Sequence, residues 1–278
     1  MIDQGTGVAQ IELQVLWAAV VAYVLSGVVA IFGVVLKKAP YRFVLGTLML
    51  GLGLMTWSLG MRWDRVGHGP FITLFEILAS NVWSFSLIFS VAYWRYPPIR
   101  GTAAVVMPII FVMLGWMALS STHEGHFPRT FRTPWLYIHV GLSKIFLGTV
   151  LVAVGMAVIV LLRRAGIGIS KFENLPVDER LDDLSYRFMA LGIIFQTLML
   201  ISGAIWAQDA WGRYWAWDPL ETWSFITWIM LAFALHWRLT MKSSPAVGAW
   251  MIIGVFVFAF LTFFGVPFIS ESPHKGAV

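Results

Sequence analysis

The chain has 278 residues, of which 59% are hydrophobic and only 12% are charged, and its mean hydropathy is +0.80. Soluble domains carry about twice that charged fraction, so the composition excludes an ordinary soluble protein and predicts an all-α polytopic membrane protein. The formal net charge of +5 is spread over short loops, which argues for membrane topology and against nucleic acid as a partner. Cysteine is absent, which excludes a disulfide framework, a thiolate metal site and a cysteine nucleophile in this sequence.

Eight apolar runs, each long enough to cross a bilayer as a helix, follow one another along the chain. They occupy residues 13–36, 43–61, 71–94, 102–120, 135–162, 185–206, 222–241 and 246–268. The third run also contains polar residues that leave a re-entrant or interfacial start as its alternative: Glu76, Ser80, Asn81, Ser84 and Ser86. The polar connection 163–184 ends at residues 177–183, where we expect a short surface helix or loop.

The basic residues of the loops predict which way the helices face. One set of alternate loops contains twelve Lys and Arg and the other contains six, with Lys144 inside a run completing the nineteen. Because loops rich in Lys and Arg remain in the cytoplasm, this asymmetry places both termini outside it. Residues 206–223 are then also on the extracytoplasmic side.

Residues 206–223, called the Trp-rich segment below, contain five Trp and one Tyr together with Asp209, Arg213, Asp218 and Glu221. Aromatic rings at that density predict a flat, polarisable surface that stacks against a large planar ligand. The alternative is an aromatic belt, in which Trp and Tyr anchor helix ends at the lipid headgroups.

The histidines divide by predicted topology. His139, one turn into the fifth run, and His274, beyond the last run, share the extracytoplasmic side with the Trp-rich segment. Two neutral imidazoles beside an aromatic surface suit the two axial positions of a haem iron. A hydrogen-bonded helix-end histidine is the alternative for His139, and a solvated residue is the alternative for His274. His236 lies near the cytoplasmic end of the seventh run, where a functional site and an interfacial anchor beside Arg238 are both open interpretations.

Other polar residues carry weaker signals. His68 lies in a Gly- and Pro-rich turn, and His123 and His126 have a metal-like spacing without further ligands nearby. Lys144 lies roughly 7–8 Å deeper along its helix than His139. Its candidate partners are a ligand carboxylate, a lipid phosphate or Glu76, and a snorkelling lysine is the alternative.

Several segments together resemble one known family. The similarity lies in Leu181–Arg187, Gly203–Ala207, Ala210–Pro219 and Glu221–Trp223, which resemble the tryptophan-rich "WWD" region of the cytochrome c biogenesis protein CcsA, also called ResC. It continues through Leu235–Arg238 and Phe264–Val266, followed by His274 at the family's distance. Upstream, Trp135–Val140 resembles the family's first external histidine segment, and Pro70–Glu76 resembles its Pro-x-x-Asn-x-x-Glu stretch.

The resemblance implies a single transmembrane domain in which residues 1–69 form N-terminal spans and residues 70–275 form a haem-handling region. It implies the haem-handling subunit of a cytochrome c synthase (haem lyase), in a bacterial cytoplasmic or thylakoid-type membrane. Haem b, membrane lipid, apocytochrome c and a CcsB/ResB-type membrane protein are the implied ligand and partners. His139 and His274 become external axial ligands and His236 an inner ligand, while the haem surface is formed by Trp211, Trp215, Trp217, Asp218 and Trp223.

The chain departs from the family pattern at three places. Leu220 replaces the usual lysine of Asp-Pro-Lys-Glu-Thr-Trp, for which Arg213 or Lys144 are candidate substitutes. Thr73 replaces the upstream asparagine, and the tail around His274 reads Ser-Pro-His-Lys-Gly. A haem-binding subunit of an electron-transfer complex and a haem exporter without ligation chemistry are the alternative functions.

Overall fold

The computed structural model describes residues 4–38, 40–241 and 243–269, and these residues form helices joined by loops and turns, without a strand. His274 lies outside the described residues. Within these described residues there are nine α-helices: α1 (Gln4–Val35), α2 (Tyr41–Val66), α3 (Leu74–Arg95), α4 (Ala103–Leu119), α5 (Pro134–Arg164), α6 (Asp178–Trp211), α7 (Pro219–Thr240), α8 (Pro245–Phe260) and α9 (Val266–Ile269). Short 3-10 helices precede α4 and α5, and a π-helical turn, Leu261–Gly265, joins α8 to α9.

The prediction of an all-α integral membrane protein is confirmed. Seven of the described helical segments are long and apolar enough to cross a membrane. The predicted span 222–241 is also a helix, α7, but it is not among those seven. Its three Trp, His236 and Arg238 make it less apolar than its neighbours.

The chain divides into two compact units, Met1–His126 with α1 to α4 and Phe127–Val278 with α5 to α9. In the first unit α1 packs along α2, and α3 packs against α2 and α4. In the second unit α5 packs against α6 and α8, and α7 packs against α6 and α8. The division at residue 69 that the resemblance implies stays a prediction.

Paired charges extend two helices beyond their predicted ends. The helices α1 and α2 include Glu12, Arg62 and Arg65, which hydropathy alone had excluded. Arg62 is only 2% exposed and bridges Glu12 at 3.1 Å and Glu76 at 2.8 Å, while Arg65 reaches the other oxygen of Glu12 at 2.7 Å. Because each buried charge has an opposite partner, the helices continue where an isolated charge would end them.

The connection between α5 and α6 is shorter than predicted. Residues 178–183 are the first turns of α6 and do not form a separate surface helix or loop. Asp178 and Glu179 stand in the first turn, where acidic side chains favour the helix dipole, and Arg163 of α5 bonds Asp178 at 3.0 Å. The helix α6 therefore starts earlier than its apolar run.

Candidate functional site

The Trp-rich segment is a helix end, a loop and a helix start. Gly212 ends α6 in the left-handed conformation (φ 73°), and its N–H donates to the carbonyl of Gln208. Asp218 then caps α7, since its side chain accepts the N–H of Glu221 at 2.9 Å. The Glu221 carboxylate in turn accepts the N–H groups of Ala216 at 2.7 Å and Asp218 at 3.3 Å. This capping box holds residues 212–218, called the connecting loop, in one conformation.

The connecting loop presents aromatic side chains outward. Tyr214 is 60% exposed and Trp217 is 69% exposed. Trp217 also has a φ of 59°, a left-handed conformation that is rare for a bulky residue. Strain of this kind persists where the surroundings impose it, and here the adjacent capping box does so. The loop therefore holds the Trp217 indole outward at a cost in backbone energy.

The aromatic rings form two groups that are not flat. In the first group Trp206 contacts Trp211 (5.0 Å between centroids, 57° between planes) and Phe131 (5.2 Å, 81°). In the second group Trp215 meets Trp217 at 5.6 Å and 87°. Tilted and perpendicular contacts are the usual preference of aromatic pairs. The expectation of one flat surface is therefore wrong for these rings, which instead offer both faces and edges.

His139 belongs to the first aromatic group. Its imidazole lies 5.8 Å from the Trp206 ring at 32°, and its Nδ1 is 2.9 Å from the carbonyl oxygen of Met199 on α6. A carbonyl only accepts, so Nδ1 carries the proton and donates it to Met199. The lone pair of the neutral ring then belongs to Nε2, which is the usual arrangement of a metal-ligating histidine.

Gly203 makes the approach of His139 to α6 possible. A Cβ atom at this position would lie 2.7 Å from Nδ1 of His139, closer than real Cβ atoms come. Six residues further along each helix, Thr133 at the start of α5 donates its hydroxyl to Asp209 near the end of α6 at 2.9 Å. Two helices are therefore fastened at the end where His139 meets the Trp-rich segment. We call Phe131, His139, Trp206 and Trp211 the aromatic site.

The remaining predicted site residues lie elsewhere. Trp223 packs on Phe258 of α8, at 5.8 Å and 31°, and its carbonyl accepts the hydroxyl of Thr227. His236 is exposed on α7, thirteen residues beyond Trp223 and so roughly 20 Å further along the helix axis. The structure thus joins His139 to Trp211 through Trp206 and separates His236 from them.

His68 and His123 belong to no metal centre among the residues that the structure describes. His68 is buried in its turn with Nδ1 2.9 Å from the Gly69 carbonyl, whereas His123 is exposed and contacts Ser121 at 2.9 Å. Over residues 4–38, 40–241 and 243–269, no group of three or more His, Cys, Asp or Glu has the arrangement of a metal site. The carboxylate of Glu76 already binds Arg62 and the N–H groups of Ile72 and Thr73.

Some features of the site were missing from the sequence interpretation. Phe131 contacts Trp206, and the main-chain carbonyl of Met199 contacts His139. Neither Phe131 nor Met199 lies in a recognisable motif. Asp218 was expected to line a ligand surface, and its cap to Glu221 is a separate role. That cap has a sequence signal, because an N-cap residue followed three residues later by Glu is a capping box.

The fold and the site define an all-helical membrane protein with a histidine held among Trp rings at one helix end. Residues 71–274 match the family described as Cytochrome C assembly protein. The chain belongs to that family, and its role is therefore in cytochrome c assembly.

Similar proteins of known name also point to cytochrome c assembly. The cytochrome c biogenesis protein CcsA of Guillardia theta is 29% identical over 269 residues, covering 87% of this chain and 89% of the relative. CcsA of Synechococcus sp. (strain RCC307) is 31% identical over 252 residues, covering 80% of each chain. These matches confirm the resemblance to CcsA.

A solved structure has a similar fold. The Cytochrome c Heme Lyase CcmF superposes with a TM-score of 0.68 at 17% identity, over 97% of this chain. This chain spans 48% of the length of that structure. At such low identity the likeness establishes the shared fold and nothing more.

Proposed function

We propose that this chain binds haem at the aromatic site and presents it for thioether attachment to the Cys-x-x-Cys-His motif of apocytochrome c. The chain is then a component of a cytochrome c synthase, or haem lyase. The predicted orientation puts this site on the extracytoplasmic face of a bacterial cytoplasmic or thylakoid-type membrane. Haem, in the form of haem b, is the substrate.

The single observation that carries this proposal is the geometry of His139. Its Nδ1–H is bound to the Met199 carbonyl at 2.9 Å, so the ring is oriented and its Nε2 lone pair is the one suited to iron. Trp206, which is only 3% exposed, fixes the imidazole from one side.

The Trp rings supply binding without a covalent link. We propose that Trp211 of the aromatic site contacts the haem ring together with Trp215 and Trp217 of the connecting loop and Trp223 of α7, because indoles bind a large π system by stacking and by edge contacts. Non-covalent binding is required here, because the product must leave. Asp218 supports this surface by holding the connecting loop rather than by charge.

The chemistry assigned to the chain is binding and orientation. In thioether attachment a thiol of the apocytochrome adds across a haem vinyl group: the C–S bond forms at one vinyl carbon and the proton goes to the other. This chain has no cysteine, so both thiols come from the other protein. Arg213, exposed beside Tyr214, is the cation that we assign to a haem propionate in place of the lysine that Leu220 replaces.

A second haem contact is proposed at His236. Its imidazole is exposed on α7 among apolar side chains, and an ionisable group in a membrane helix is costly unless it has a function or a protein neighbour. We propose that His236 ligates haem at an inner site together with a ligand from a CcsB/ResB-type membrane protein. The membrane lipid covers the remaining outward faces.

The test is a haem absorption spectrum of the purified chain, alone and with the partner. We expect His139→Ala and His274→Ala each to lower the outer haem signal and the yield of c-type cytochrome, because each removes an axial ligand. His123→Ala is the matched control, since the exposed side chain of this histidine bonds only the neighbouring Ser121 among the described residues. Unchanged haem content and yield in both ligand variants would overturn the proposal.

Measuring haem binding together with the yield of c-type cytochrome separates the alternative functions. A chain that only exports haem would deliver it to the outer face without raising thioether yield in a reconstituted system with reduced apocytochrome. An electron-transfer subunit would keep its haem bound and would release none to the product. Either result would replace the synthase assignment.

A further inference from the structure

Three helix ends of the second unit meet at a partly buried ion pair. Asp182, in the second turn of α6, contacts Arg238, in the last turn of α7, with Oδ2 and Nη2 2.7 Å apart. The Asp182 side chain is 8% exposed and the Arg238 side chain 36%. This pair joins the two segments Leu181–Arg187 and Leu235–Arg238, which are far apart in sequence.

The start of α8 completes the arrangement. Gly248, in the first turns of α8, lies so close to Asp182 that a Cβ atom there would be 2.5 Å from Oδ1. The Asp182 carboxylate is thus near the N-terminus of α6, and the Arg238 guanidinium is near the C-terminus of α7. The helix dipoles favour a negative charge at the first position and a positive charge at the second. Arg238 also lies over the Tyr186 ring, 5.7 Å from its centroid.

Arg238 lies on the same side of α7 as the buried residues of that helix. Thr227, Leu231 and Ala234 are buried, and by helix periodicity all three lie within about 40° of Arg238 around the α7 axis. His236 is two residues from Arg238 and therefore about 160° away, on the opposite face. The exposed face around it includes Ile229. Arg238 and His236 therefore lie on opposite faces of α7.

We propose that Asp182 and Arg238 are positioning residues for His236: their ion pair sets the rotation of α7 and so aims the imidazole away from this chain. The assignment rests on the proposed inner haem site at His236. It also gives a role to Asp182, which no step of haem attachment uses. Gly248 contributes to this positioning, because the side chain of any larger residue would displace Asp182.

The test uses Asp182→Asn and Arg238→Gln in the full chain, purified with its CcsB/ResB-type partner. The readout is the absorption of the inner haem relative to the outer haem. We expect the inner haem affinity to fall roughly tenfold or more in each variant, as when a group that orients a ligating histidine is lost. The outer haem, ligated by His139, keeps its affinity. Arg238→Lys retains the charge and is expected to restore part of the inner signal.

Asp183→Asn is the matched control. This neighbouring carboxylate is 37% exposed and pairs at the surface with Arg180 and Arg187, so its loss should leave both haem signals unchanged. Gly248→Ala tests the geometry without removing a charge, and it should lower the inner signal as well. If Asp182→Asn does not fold, Gly248→Ala still tests whether the position of Asp182 matters for the inner haem.

The outcomes separate this inference from the proposed function. If His236→Ala keeps the inner haem, the inner site itself is wrong and the positioning role falls with it. If His236→Ala loses the inner haem while Asp182→Asn and Gly248→Ala keep it, the positioning role alone is overturned. A proportional loss of both haems in Asp182→Asn would show a general structural role and would also overturn it.

Discussion

Replacing Gly203 by Ala tests the geometry on which the proposed outer haem site depends. The new Cβ would lie 2.7 Å from Nδ1 and 2.8 Å from Cε1 of His139. Carbon contacts prefer about 3.5–4.0 Å, so the imidazole must move away from α6 by roughly 1 Å. The bond from Nδ1 to Met199, now 2.9 Å, would then exceed the range of a hydrogen bond.

Two losses follow for Gly203→Ala. The broken hydrogen bond costs about 0.5–1.5 kcal/mol of stability. The ring also loses the partner that fixes its tautomer and direction, which typically weakens metal binding by about 10–100-fold. We therefore expect the haem affinity to fall within that range, while the helices and the fold remain.

The measurement is a haem titration followed by absorbance, together with the thermal unfolding midpoint in detergent. Gly141→Ala is the matched control, because it lies two residues from His139 and its added Cβ meets nothing within 4 Å. Both substitutions gain similar helix propensity, so their difference isolates the clash. If Gly203→Ala binds haem as tightly as Gly141→Ala, the role of the Met199 contact is refuted.

Three further substitutions have expected outcomes. Asp218→Asn should retain the α7 cap and haem binding, because asparagine is also a good N-cap residue. Asp218→Ala should lower the free energy of unfolding by about 1 kcal/mol and loosen the connecting loop. Equal haem affinities of the Asn and Ala variants would contradict this role of the cap. Arg62→Gln should lower the free energy of unfolding by about 3–5 kcal/mol, because it removes the arginine that neutralises the buried Glu76 carboxylate and leaves Glu12 with Arg65 alone. The exposed Arg187→Gln control should cost at most about 1 kcal/mol, and thermal unfolding compares the two variants. Trp217→Gly should relieve the strain of the positive φ, so the midpoint of thermal unfolding should stay the same or rise. Haem binding should weaken, and unchanged binding would show that Trp217 is not part of the haem site.

The helices were predictable because a bilayer requires long apolar runs, but their ends were not. Hydropathy ended the second run at residue 61, whereas α2 continues to Val66 through two arginines. Whether a charge ends a membrane helix depends on its partner, and the partners of Arg62 are Glu12 and Glu76 on other helices. Sequence shows the charges but not their pairing.

The candidate site was predictable only in part for a related reason. His139 and the Trp residues carry a recognisable pattern, so they were found. The group that orients His139 is the main-chain carbonyl of Met199, sixty residues away, and every residue has a carbonyl. Gly203 lies in a segment that carries the family resemblance, but only the structure shows that it makes room for an imidazole.

The helix α7 differs from the other long helices in two ways that have one explanation. It is not among the segments apolar enough to span a membrane, and it turns His236 outward between Ile229 and Leu239. Both features are unfavourable against lipid and favourable against a protein surface that supplies a polar group. We therefore expect a photo-crosslinker at Phe233, about 60° from His236 and 51% exposed, to capture the CcsB/ResB-type partner in membranes. The same crosslinker at Leu198 on α6, 44% exposed, is the control, and equal capture at both positions would contradict a partner seated on α7.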